Sequence, residues 1–156
     1  KQKTAYEIGV RLVGSEMCIR DSSYMVYVEK EEKVMDTLTN FCIDHNIHSG
    51  QISGIGAVKN IDMGIYDIKA KEYHHKLFDD MHELISFQGN IALKDNQPFI
   101  HAHIAIGDHN MQVFGGHLFE MKVGAVGEFI LHSFNQKTYR EIDDNIGLAT
   151  LNLCKL

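Results

Sequence analysis

The chain has 156 residues, 44% of them hydrophobic, and a formal net charge of −6, which suits one compact domain. No apolar run approaches the ~20 residues that span a bilayer, and Lys1-Gln2-Lys3-Thr4 lacks the apolar stretch of a signal peptide. Outside residues 1–22 there are 11 basic and 18 acidic side chains, with Arg140 the single arginine, a poor endowment for gripping nucleic-acid phosphates.

Residues 1–22 show no clear helical or strand period. Residues 11–22 resemble a string that recurs in unrelated proteins translated from sequencing-adapter sequence. The segment reads as artefactual or disordered, with a natural flexible arm as the alternative, and is set apart from a domain spanning residues 23–156. Tyr24-Met25-Val26-Tyr27-Val28 is rich in strand formers. Residues 33–46 carry Val34, Leu38, Phe41 and Cys42 at helical spacing, with Gly50 as a stop beyond them. Cys42 reads as a small core residue of that helix. With Cys18 and Cys154 it makes an odd set without metal-ligand spacing. That pattern favours a reducing cytoplasm over a disulfide framework.

Residues 51–66 read as paired strands bending at Gly54, Gly56 and Gly64. Residues 73–82 are polar and read as a loop or short helical turn, with His74, His75 and His82 on the surface. Residues 83–93 form a strand and 94–98 a turn. Residues 99–106 alternate well, 107–110 turn again, 111–119 return, and 122–134 form a last long strand. The tail is a short apolar finish after Gly147-Leu148. Six or so strands, one helix and short turns imply an α+β fold built on a curved, mostly antiparallel sheet.

The chemistry concentrates on His101-Ala102-His103 and Gly115-Gly116-His117. Two histidines two apart on a strand share a face. Here that face also carries Phe99 and Ala105, while Ile100, Ala102, Ile104 and Ile106 point to the core. A hairpin pairing His101 with His117 leaves a three-residue loop, Asp108-His109-Asn110, with Asn110 as its left-handed residue. A one-residue slip would turn His117 to the other face, and the two glycines could also form a bulge. Three imidazoles with an open position suit Zn²⁺ or another first-row divalent ion. Such an ion lowers the pKa of a bound water toward ~7 and acts as a Lewis acid. Glu128, on the following strand, is a candidate acid/base or supporting partner. Hydrogen-bonded sheet histidines and an exposed strand carboxylate are the plainer alternatives.

Several segments, in order, are similar to the plant-and-prokaryote-conserved (PPC) domain. They are Leu38-Thr39-Asn40-Phe41-Cys42, Gly50 to Val58, Glu83 to Asn90, Pro98 to His103, Gly115-Gly116-His117-Leu118, Gly127-Glu128-Phe129 and Arg140. The resemblance covers residues 24–148. It implies a homotrimer, a family label of DNA-binding candidates, and a metal on His101, His103 and His117. Plant members attach DNA contact to an added Arg-Gly-Arg-Pro segment, which this sequence lacks. The fold it implies is distantly similar to that of acetolactate decarboxylase, an analogy that transfers no activity. The expectation is therefore a metal-binding PPC-domain trimer. The alternative is a zinc-dependent enzyme acting on a small oxo acid or similar metabolite. A small-molecule ligand fits either, DNA is disfavoured by charge, and no membrane partner is expected.

Overall fold

A computed structural model of the chain describes residues 23–152. In order the elements are β1 (Ser23–Val28), α1 (Val34–Asp44), β2 (Gly50–Asp67), β3 (Glu72–Phe78), β4 (His82–Lys94), β5 (Gln97–Gly107), β6 (Val113–Ser133), β7 (Tyr139–Asp143) and β8 (Leu148–Asn152). The α+β class is as the periodicity predicts. The expectation for residues 1–22, and the positions of Cys18 and Cys154, lie outside the described residues.

The sheet closes on itself. β2 pairs antiparallel with both β6 and β4, β6 pairs with β5, and β5 pairs with β4, giving a four-stranded ring. β1 extends it alongside β6, β3 alongside β2, and the β7–β8 hairpin joins β4 through a parallel contact of Leu93 with Tyr139. Closure satisfies the ladder hydrogen bonds that an open edge would leave unpaired. The core lies on the side facing α1, where Val34, Leu38 and Cys42 meet Ile104, Ile106, Met121, Val123, Phe87 and Phe129. Cys42 is fully buried, as the helical pattern implies, and burial pushes its thiol pKa up to about 12. Lys33 makes no side-chain cap at the helix start. Instead the Glu120 carboxylate on β6 accepts from the N–H groups of Met35 and Asp36, at 2.8 and 3.3 Å. An anion there satisfies free donors and complements the helix dipole.

Several boundaries differ from those the sequence suggests, each for a physical reason. Gly50 does not stop the helix. His45 ends it, with its Nδ1 2.9 Å from the Phe41 carbonyl, and Asn46 turns left-handed at φ 53°. Gly50 instead opens β2, where a Cβ would lie 2.4 Å from the His132 carbonyl oxygen. Residues 50–67 form one continuous strand; its irregularities are register shifts, the first between Gly54 and Gly56. Residues 72–78 are strand β3, not a loop or helical turn, and His82 is buried, its Nδ1 2.9 Å from the Asp80 carbonyl. The expected break between 119 and 122 is absent, since β6 runs unbroken for 21 residues. The tail forms the β7–β8 hairpin, turning at Gly147 with φ 75°.

The turn at 94–98 is a two-residue loop, with Asp95 and Asn96 both left-handed at φ 52° and 60°, the geometry that tight hairpins favour. The β5–β6 hairpin is longer than expected. Its strands close at Gly107 opposite Val113, leaving Asp108 to Gln112. Asp108 Oδ1 accepts from the N–H groups of Asn110 and Gln112, both at 2.8 Å. The left-handed residue is Met111, not Asn110.

Candidate metal centre

β5 alternates as its sequence predicts: Ile100, Ala102, Ile104 and Ile106 are buried in the core, and His101 and His103 face outward. The partner of His117 is His103, not His101. This register differs by two residues from the three-residue-loop hairpin, and two residues preserve the face. His117 therefore arrives beside both histidines. Ring centroids lie 5.1 Å apart for His101–His103, 5.0 Å for His101–His117 and 5.6 Å for His103–His117.

Gly116 is needed for this approach. It faces the core side, and a Cβ there would lie 2.8 Å from the Gly64 carbonyl oxygen on β2. Gly64 in turn sits opposite both His117 and His75, and a Cβ on it would lie 3.1 Å from the Phe119 ring. The bare backbone makes room for aromatic walls. Tyr73 and Phe119 each stand 4.9 Å from His117, and His75 stacks on Phe119 at 4.1 Å. On the opposite flank, Arg140 of β7 reaches His101 Nδ1 at 3.3 Å, Asn90 Oδ1 at 2.6 Å and the Ala149 carbonyl at 2.7 Å. The two flanks are tied together. The Tyr66 hydroxyl donates to the Ile146 carbonyl at 2.6 Å and the Lys71 ammonium to that of Asp144 at 2.5 Å.

Each histidine offers a ligand atom, and these atoms lie within 4.8 Å of one another. Nitrogens held 2.0–2.1 Å from one tetrahedral ion lie about 3.4 Å apart, so small ring movements suffice. His103 is exposed and the other two are partly buried, which leaves one side open. The Nδ1 of His117 is buried without a hydrogen-bond partner. Burial, then Arg140 and His103, hold His101 down at about 4; burial, then His101, His103, His75 and Arg140, do the same for His117. Neutral imidazoles are the ligand form. Donor type, spacing, protonation and the orphaned nitrogen all fit a divalent metal.

Glu128 stands eleven residues beyond His117 on β6, opposite Tyr27 and Ile55. It is exposed and lines an open groove with Met25, Ile55, Ile85 and Ile130. Gln88, opposite His103 on β4, also lines that groove. Arg140 has a position at the site that spacing alone does not reveal; the sequence marks it as the lone arginine after residue 22 and as part of the PPC resemblance.

The class is thus an α+β ring with three outward histidines. The chain belongs to the Plants and Prokaryotes Conserved (PCC, also written PPC) domain family, whose sequence profile matches residues 18–135. Solved structures agree. A plant- and prokaryote-conserved (PPC) protein from Pyrococcus horikoshii is 35% identical with a TM-score of 0.81, covering 90% of this chain and 100% of that one. A metal-containing protein from Archaeoglobus fulgidus is 31% identical with a TM-score of 0.79, covering 85% and 94%. A candidate DNA-binding protein from Bacteroides thetaiotaomicron is 28% identical with a TM-score of 0.81, covering 83% and 91%. No curated protein sequence matches the chain significantly.

Proposed function

We propose that this PPC-domain protein is a metal-binding homotrimer, holding zinc or another first-row divalent ion on His101, His103 and His117. The observation that carries the reading is the convergence of three ligand nitrogens on an open-sided site. The metal-containing relative from Archaeoglobus fulgidus supports it. A bound ion would supply Lewis acidity at its open position. Self-association is supported by the outer face near Glu128, where Met25, Ile55, Ile85 and Ile130 are exposed together; patches of this kind mark interaction surfaces. Metal analysis of purified protein, with His103→Ala as control, tests the site. Equal metal content in the two proteins removes it. Light scattering tests the trimer, and a monomeric mass removes that.

The finer reading, a zinc-dependent enzyme acting on a small oxo acid, takes support from the open side of the histidine cluster. Glu128 serves as acid/base in that reading only if assembly carries its groove to a histidine site. DNA binding is the second reading, favoured by the name of the Bacteroides thetaiotaomicron relative. The net negative charge and single arginine after residue 22 oppose it. Affinity for duplex DNA across salt concentrations decides: no binding, or no salt-dependent slope, removes direct phosphate recognition.

A further inference from the structure

Arg140 is 8% exposed, and among the described residues no carboxylate pairs with it. Its acceptors are a backbone carbonyl, an amide oxygen and one imidazole nitrogen, all uncharged. Its Nε is buried without a partner. Buried arginines are normally paired, so this one lacks a counter-ion.

Its contact with His101 adds a constraint. A guanidinium has no acceptor, so His101 Nδ1 must accept the 3.3 Å hydrogen bond. A neutral ring accepting at Nδ1 carries its proton on Nε2. If a metal binds Nε2, the proton moves to Nδ1 and faces the Arg140 donor. If a metal binds Nδ1, it takes the lone pair the arginine uses. Either way metal ligation and the Arg140–His101 hydrogen bond exclude one another.

We propose that Arg140 is the anion-binding arm of this site. When metal is held, its guanidinium leaves His101 and takes the carboxylate of a small organic acid, for which pyruvate is the probe, at the metal's open position. The proposal rests on the metal reading above. A dication and a guanidinium among neutral histidines call for an anion, and the planar fork matches a carboxylate bidentately.

The test loads the full chain with Co²⁺ and follows its visible bands during titration with pyruvate, then with inorganic phosphate. Wild type should bind pyruvate saturably and more tightly than phosphate. Arg140→Gln should retain Co²⁺, having lost a competitor for His101, and bind pyruvate at least tenfold more weakly; Arg140→Lys should fall between. Equal pyruvate affinity in wild type and Arg140→Gln, or tighter phosphate binding, overturns the proposal. If the variants do not fold, the Arg140 Nε–H resonance is followed in an Arg11→Lys/Arg20→Lys background. It should shift on pyruvate addition only with metal present, and an unmoved signal overturns the proposal. Absence of Co²⁺ binding to wild type removes the metal reading itself, whereas bound Co²⁺ without a pyruvate response removes only the role of Arg140.

Discussion

His103 and His117 are directly opposed across the last rung of the β5–β6 ladder. Beyond that rung β5 continues, paired with β4, and carries His101 opposite Asn90. The third histidine therefore sits where β5 has lost β6 and keeps only β4 as a partner. The geometry depends on that register more than on any single side chain.

Removing a ligand should cost more than removing a supporting group, which typically costs 10–100-fold in affinity. We expect His103→Ala and His117→Ala each to weaken Zn²⁺ binding by at least about a hundredfold. Competition with a chromophoric chelator measures this, and binding within tenfold of wild type contradicts it.

Acid should destabilise the metal-free protein. The folded-state pKa values of His101 and His117 are about 4, against ~6.5 unfolded. Between those values the unfolded chain holds more protons, so stability is complete above about pH 6.5 and falls as pH drops toward 4. Melting temperatures from pH 7.5 to 4.5, compared with a His101→Asn/His117→Asn variant, isolate this part. The difference between the two proteins should shrink as pH falls; a constant difference refutes the assignment.

Gly116→Ala should damage fold and site together. The added methyl meets the Gly64 carbonyl oxygen at 2.8 Å, which is backbone and cannot swing aside. Overpacking of this kind costs about 1–3 kcal/mol. Urea denaturation reads the stability loss, and metal titration should show weaker binding in protein that remains folded.

Phe87 and Phe129 meet edge to face at 5.3 Å, both fully buried. Phe129→Ala should cost about 3–5 kcal/mol. Because Phe129 lies far along β6 from His117, the variant should keep its metal site under conditions where it is still folded. Urea midpoints and metal content check the two halves separately.

The outward histidine face of β5 is legible in the sequence; much of the fold around it is not. Alternation along β5 separated core from histidine face because every second residue there is apolar. The register was not legible, since Gly115 and Gly116 carry no side chains to betray their partners. It depends on an Asp108 turn whose bonds are to backbone N–H groups. β3 leaves no mark in the sequence because His74, His75, Lys76 and Leu77 are exposed and give no half-buried pattern. β2 looked interrupted because its glycines read as breaks. In the structure Gly50, Gly54 and Gly56 are points of close approach inside a continuous strand. Arg140 lay in a tail whose pairing to β4 is a single parallel contact, too weak a feature to read from local pattern.

The ring also sets how the chain reaches its native state. Its seam joins Gly50 to Ser133 and Gly54 to Phe129, partners more than seventy positions apart in the chain. Local hairpins such as β4–β5 can form on the microsecond scale, but the seam bears most of the loop-closure entropy. Topologies dominated by such distant pairs fold in milliseconds to seconds. His101, His103 and His117 share one local hairpin, but until the seam closes Gly64 has no fixed place beside His117, so the β2 side of the histidine cluster is completed late.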